Sequence, residues 1–289
     1  MSYGETRPKE GGNGINEDAI ISDDAERLYG VFDGMGGHDA GEIASAEAVK
    51  AVREAVAQWD TVVDEDVSDL PNSLGRALVQ AHRAVRTAAG GGNMGTTASV
   101  AKLVERSDGT FAAVVSTVGD SPAYVWRAEA KTLELVGGDD DMLVGGELYI
   151  RLGLGLKPAE ALPTDEEIGE IRREIRNATT EAELSPRAQE LWKRRNIVGQ
   201  NLGNEDHEPD PRSRLVELAK GDKLLLMSDG ISDFVGEQDI ASAAAGTRTP
   251  KELSVLLVES ALATSQDKAQ FRTTGKNPDD LSVVVVQIS

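Results

Sequence analysis

The chain has 289 residues, 39% of them hydrophobic, which is enough to bury a sizeable core. It carries 50 acidic against 30 basic residues, a formal charge of −20, and this argues against nucleic acid, which proteins hold mostly through lysine and arginine on phosphates. Cysteine is absent and histidine occurs three times, so disulfides and thiol nucleophiles are excluded and any metal chemistry must rest mainly on carboxylates.

No apolar stretch approaches the roughly 20 residues of a membrane span, and the leader MSYGETRPKEGG lacks a signal peptide's apolar core. A cytoplasmic protein without membrane contact is expected. After this polar leader, 18–21 and 28–32 read as strands of a hairpin around the turn SDDAER, with Glu17 and Asp33 near its open ends. Asp39 and Glu42 have the spacing of a capping box, and Ile43, Ala46, Val49, Val52 and Val56 then recur at helical spacing to about Trp59. A second helix is predicted over 72–89, with Leu74, Leu78 and Val85 on one face and a stop at the following glycines. His82 falls inside that pattern and reads as structural.

Strand-like runs at 96–104, 111–118, 123–127 and 132–136 are separated by turn residues and read as an antiparallel meander. The region 137–203 changes style and reads as an insertion over one end of the sheet. One helix is expected to start at Thr164, with Glu167 completing a capping box, and another at Ser185-Pro186. GGDDD and NEDHEPDP read as solvated turns. Strands resume at 215–218 and 223–227. Two helices follow near 237–245 and from Pro250 past Leu262, before a last strand at 281–288. The order implies an α+β protein, antiparallel sheets covered by helices, forming one domain over 1–289.

The most informative stretch is LYGVFDGMGGHDAG, where an apolar run ends on Asp33 among glycines. An acid at the end of a buried strand needs a cation or a donor network beside it, because burying an unpaired carboxylate is costly. The pattern recurs at STVGDS (Asp120), LLLMSDGISD (Asp229 and Asp233), NPDDLSVVVV (Asp279) and GINEDAII (Glu17 and Asp18). Five such clusters have the donor chemistry to converge on one hard-cation site. Asp33, Asp229 and Asp279 have the types and placements of a two-metal centre, which points to metal-assisted hydrolysis of a phosphate ester.

The ordered set NEDA, VFDGMGGHDAGEIAS, MGTTASV, VGDSPAYVWR, LLLMSDGISD and NPDDLSVVVV resembles the metal-dependent protein serine/threonine phosphatase family, type 2C, in its bacterial form. The resemblance covers nearly the whole chain. It implies a central β-sandwich of two antiparallel sheets flanked by pairs of helices, with a helical flap at about 137–203. It also implies two Mg²⁺ or Mn²⁺ ions, bridged by Asp33 and bound by the Gly34 carbonyl, Asp229 and Asp279, with Glu17 acting through water. Asp120 and Asp233 match the positions that, with Asp229, hold a weaker third ion. The activity implied is direct attack of metal-activated hydroxide on phosphoserine or phosphothreonine. His38 is the candidate acid for the leaving alkoxide, beside an equally open reading as a surface residue at a helix start. Phosphorylated proteins are the implied partners, together with a cognate serine/threonine kinase.

Three departures stand out. The family's phosphate-binding arginine is replaced by Asn13, which has no charge and no bidentate fork, and Arg7 and Arg27 stand as candidates to replace it. GDSR becomes GDSP, with Pro122, and the usual histidine-containing strand after the meander is missing. These departures motivate an alternative, a degenerate member acting as a regulatory binding module. A nucleotide-binding reading of GMGGH is weak, because no P-loop lysine follows and the GxGxxG spacing fails.

Overall fold

The structure is a computed structural model. It describes residues 1–9, 14–36, 40–60, 62–63, 67–138, 170–171, 173–175, 178, 180–192, 198–204, 207–267, 272 and 278–289. The strands are β1 (Ser2–Arg7), β2 (Ala19–Asp23), β3 (Leu28–Phe32), β4 (Gly34–Gly36), β5 (Val62–Val63), β6 (Met94–Thr96), β7 (Ala98–Arg106), β8 (Phe111–Val118), β9 (Ala123–Arg127), β10 (Thr132–Gly137), β11 (Arg212–Leu218), β12 (Lys223–Met227) and β13 (Leu281–Gln287). The helices used below are α1 (Gly41–Val56), α2 (Leu70–Ala89), α3 (Pro186–Trp192), α4 (Asp229–Ser232), α5 (Glu237–Gly246) and α6 (Pro250–Gln266).

Two antiparallel sheets form the centre. One runs in the order β1-β13-β12-β9-β10 and the other β11-β8-β7-β3-β2, with β5 added in parallel to β7. Period-two alternation lets each strand serve two layers. Leu224, Leu226, Val284 and Val286 face the opposing sheet and meet Tyr29, Val31, Ala101 and Val115. Their neighbours Leu225, Met227, Val283 and Val285 face outward and pack under Ile231, Leu253, Leu257 and Ala261 of α4 and α6. On the other side Leu28, Phe32, Val100 and Val114 pack under Ala44, Ala48, Val52, Leu74 and Leu78 of α1 and α2. The result is four layers, helix, sheet, sheet, helix, and strands buried on both faces explain the near-continuous apolar runs in the sequence.

Several expectations change. The polar leader is strand β1, paired with β13 from Ser2↔Val286 to Arg7↔Leu281. Its half-buried polar residues at a sheet edge hid it from a search for apolar alternation. The meander is divided: β7 pairs with β8 in one sheet and β9 with β10 in the other. The chain crosses between sheets at Gly119 to Pro122, where Gly119 takes φ +94° and a Cβ would stand 2.8 Å from the Thr97 side chain. Helix α1 starts after Ala40 without a side-chain cap, and its buried face is Ala44, Ala48, Val52 and Val56, leaving Ile43 exposed. Asp39 and the predicted helix start at Thr164 lie outside the described residues. The helix starts at Ser185-Pro186 and Pro250 stand: Ala188 N donates to Ser185 Oγ at 3.3 Å, and Thr249, just before Pro250, forms a reciprocal capping box with Glu252.

Lys223 shows how a buried cation is accommodated. Its Nζ donates to the carbonyls of Ala244 and Thr247, both at 2.7 Å, closing the C-terminal end of α5, while burial lowers its pKa. Lys223→Met leaves both carbonyls without that donor, and the expected loss is about 1–3 kcal/mol. A urea midpoint unchanged from wild type would remove this reading of the lysine.

Candidate active site

The strand registers bring the acidic clusters to one end of the sandwich. Ala19 pairs with Phe32, so Glu17 and Asp33 leave the β2–β3 hairpin together. Ala98 pairs with Val118, which sets Asp120 beside Thr97, the residue before β7. Met227 pairs with Val283, and Leu281 with Arg7, so Asp229, Asp279 and Lys9 emerge from the other sheet at the same end. A cavity of about 380 Å³ is lined there by Glu17, Asp33, Gly34, Asp120, Asp229 and Asp279, and by Lys9, Thr97 and Val198.

The backbone around these residues is tightly tied. Asp33 N donates to Thr97 Oγ1 at 3.1 Å, and Thr97 N returns a bond to the Asp33 carbonyl at 2.8 Å. Thr97 Oγ1 is also 2.6 Å from Ser121 Oγ, tying the crossing beside Asp120 into the same group. The Glu17 carbonyl accepts from Gly34 N at 3.2 Å and from Ser45 Oγ at 2.7 Å. Gly34 is pressed against backbone, and a Cβ on it would lie 2.3 Å from both the Glu17 and the Gly41 carbonyl oxygens.

Two charged residues were not read from the sequence as part of this site. Asp280 is buried and accepts from Lys9 N at 2.6 Å and Glu17 N at 2.7 Å, so it joins β1, the approach to β2 and the approach to β13. The doubled acid in NPDDL was the available signal, and only its first member was assigned. Lys9 Nζ donates to Glu17 Oε2 at 2.7 Å. Burial disfavours its charge, but the Glu17 bond and the nearby Asp280 and Asp279 outweigh that and raise its pKa. A lone lysine in a polar leader carries no sequence signal. Arg7 and Arg27 face elsewhere, paired with Glu259 at 2.7 Å and Glu105 at 2.6 Å.

The electrostatics are one-sided. Burial pushes the Asp33 carboxyl well above the usual carboxylate range, and Asp18, Asp229, Asp279 and Asp120 push it further. Asp18 is buried and rises to about 8, again mainly through burial, although Ser282 and Ser228 oppose the shift. Its Oδ2 accepts from Ser228 Oγ at 2.9 Å, so it serves as a hydrogen-bond acceptor.

Among the described residues no three acidic or histidine side chains form a closed metal cage as they stand. The lining carboxylates instead surround the cavity with Lys9 in it. The donor set still fits divalent metal in kind and charge. Every candidate is oxygen, and five carboxylates face one ammonium.

Asp233 is not among the lining residues. It lies one turn beyond Asp229, with its N–H on the Asp229 carbonyl at 2.8 Å, and within electrostatic reach of Arg272. His82 is buried and accepts from Gly203 N at Nδ1, a structural role. Asn13 and His38 lie outside the described residues. Met35 and Gly36 also line an adjoining cavity of about 620 Å³, together with Asn93, Met94 and Asn201, and among the described residues no charged one lines it.

A family model described as protein phosphatase 2C matches residues 9–135. The serine/threonine protein phosphatase PstP of Mycobacterium tuberculosis is 24% identical over 277 residues, covering 94% of this chain and 42% of its own length. Protein phosphatase PhpP of Streptococcus pneumoniae is 28% identical over 212 residues, covering 72% of this chain and 68% of the relative. The chain thus spans less than half the length of its mycobacterial relatives. Among solved structures, the Mycobacterium tuberculosis phosphatase PstP/Ppp superposes with a TM-score of 0.65 at 25% identity, covering 100% of this chain and 98% of the other. The PstP catalytic domain in complex with two manganese ions gives 0.63 at 23% identity, with the same coverage. Both have the sandwich described above. The sequence match over residues 9–135 and the fold of the whole chain point the same way: the chain is similar to protein phosphatases of the 2C type.

Proposed function

We propose that this chain is a metal-dependent phosphoprotein phosphatase acting on phosphoserine and phosphothreonine. The carrying observation is the convergence of Glu17, Asp33, Asp120, Asp229 and Asp279 on one cavity with a single opposing ammonium among the described lining residues. Such a cluster repels phosphate unless cations reverse its field. Asp33, the Gly34 carbonyl, Asp229 and Asp279 would hold two Mg²⁺ or Mn²⁺ ions with Glu17 in support, and Asp120, Asp229 and Asp233 a weaker third. Bound there, the ions supply Lewis-acid activation of water and neutralise the phosphoryl charge.

The chain's own residues set the geometry. Asp280 fixes the backbone of Glu17 and Lys9, and Thr97 fixes Asp33. The adjoining cavity, uncharged among its described lining residues, gives room for the peptide that carries the phosphoryl group. We assign His38 to protonating the leaving alkoxide and Asn13 to hydrogen-bonding a phosphate oxygen. The chain is read as one domain whose 137–203 segment acts as a flap. Within that segment Ile175, Ala178, Leu184, Ala188 and Trp192 make a small core of their own, and Val198 reaches the cavity. Among the described residues no helix is long and apolar enough to cross a membrane. A cytoplasmic setting opposite a serine/threonine kinase completes the proposal.

The test is phosphate release from a phosphothreonine peptide with and without Mn²⁺. Release that needs the metal is expected. A folded protein that binds phosphopeptide but releases no phosphate at any metal concentration would replace this reading with the regulatory binding module.

A further inference from the structure

We infer that Lys9 is a substrate-binding residue, whose ammonium meets the phosphoryl oxygens in the cavity. The inference deepens the phosphatase reading and rests on it for the identity of the substrate.

The cavity is lined by five carboxylates, and an anion entering it finds one cationic side chain among the described lining residues, Lys9. The two arginines nearest in sequence are spent elsewhere. Arg7 is held by Glu259 and Glu5, and Arg27 lies over the Phe111 ring while pairing with Glu105. Position 13 carries asparagine, which brings no charge.

Lys9 is built to serve. It follows β1 across a single proline, and the pairing of Arg7 with Leu281 sets it level with Asp279 and Asp280. Asp280 Oδ1 holds its backbone N–H at 2.6 Å, so the root of the side chain is fixed while four methylenes leave the head free to move. The head now rests on Glu17 Oε2 at 2.7 Å, and the side chain keeps 28% of its exposure. A metal ion that drew on the charge of Glu17 would weaken this partner and leave the ammonium available to another anion within the reach of the same stem. A phosphoryl oxygen in the cavity is such an anion, and charge-assisted bonds of this kind are roughly twice as strong as neutral ones. Metal loading and phosphate binding would then be coupled through one side chain, the lysine passing from Glu17 to the substrate.

A purely structural role, pinning Glu17, makes different demands. It would show in metal affinity and melting temperature and leave phosphate binding unmoved.

The experiment compares wild type, Lys9→Met and Lys9→Arg loaded with Mn²⁺. Binding of inorganic phosphate is measured by calorimetry and as competitive inhibition of aryl phosphate turnover, Mn²⁺ binding is measured separately, and circular dichroism monitors folding. Lys9→Met should weaken phosphate about ten- to a hundredfold and raise KM more than it lowers kcat. Its affinity for Mn²⁺ should be no weaker, because the competing ammonium is gone. Lys9→Arg should recover most of the phosphate affinity. Undiminished phosphate binding in a folded, metal-loaded Lys9→Met protein overturns the inference and leaves the phosphatase reading intact. Phosphate binding that depends on Lys9 in a wild type without turnover keeps the inference and overturns the phosphatase reading. A metal-loaded wild type that neither binds phosphate nor turns over ends both.

Discussion

Asp33→Asn should abolish turnover while making the metal-free protein harder to unfold. Asp33 ends β3 and lines the cavity within the field of Asp18, Asp120, Asp229 and Asp279, all of the same sign. Without metal, a carboxylate there is opposed by burial and by the carboxylates of Asp18, Asp229, Asp279 and Asp120, and the amide has nearly the same shape without the charge. Removing it should raise stability by about 1 kcal/mol, in line with the common finding that active sites trade stability for function. The same change removes the ligand proposed to bridge the ions, so turnover should fall by at least about a thousandfold, a barrier change of roughly 4 kcal/mol. Paired melting curves separate the two effects. Wild type should gain melting temperature with Mn²⁺ and Asp33→Asn should not, although it starts higher. A variant that keeps both manganese-dependent stabilisation and activity would show that Asp33 is not a ligand.

The second large effect is expected from one added carbon. In Gly34→Ala the new Cβ meets the carbonyl oxygens of Glu17 and Gly41, each at 2.3 Å, far inside van der Waals contact. Neither oxygen belongs to a side chain that could swing away, and the Glu17 carbonyl is already held by Gly34 N and Ser45 Oγ. Relief therefore requires the β3–β4 junction, the start of α1 and the approach to β2 to separate. The expected cost is about 2–4 kcal/mol, at or above the upper end for overpacking. Manganese-dependent activity should fall further than stability alone accounts for, because Glu17 and Asp33 are displaced together. Thermal denaturation with activity measured well below the midpoint checks this. Wild-type activity in Gly34→Ala would mean that the three segments are not packed as described.

The sequence made strands legible where they are buried on both faces. The runs at Leu28–Phe32, Lys223–Met227 and Leu281–Gln287 are apolar almost throughout, and the expected strand limits match closely. Sheet membership was not legible. A turn such as Gly-Asp-Ser-Pro looks the same whether it closes a hairpin or carries the chain from one sheet to the other, and only the pairing of β9 with β12 tells them apart. Edge strand β1 was missed because a polar, half-buried edge leaves no periodic signal. At the site, acids at strand ends could be found one by one, since each breaks an apolar run. Asp280 and Lys9 could not, because their importance lies in bonds to residues far along the chain, 263 positions apart for Asp280 and Glu17.

The pairing order of the first sheet also bears on synthesis. Strand β13 lies between β1 and β12, so residues 2–7 have no neighbour in their sheet until residues 281–287 arrive. Asp279 and Asp280 stand directly before that strand, which means the cavity gains its final wall at the same moment. A nascent chain that has extruded the whole region matched by the family model, up to residue 135, still lacks Asp229, Asp279 and Asp280. Contacts of such long sequence separation form slowly, after the local hairpins and the α1–α2 pair. Before β13 emerges the nascent chain therefore cannot assemble the cavity, and its acidic residues stay apart, in water, until closure of the sheet forces them together.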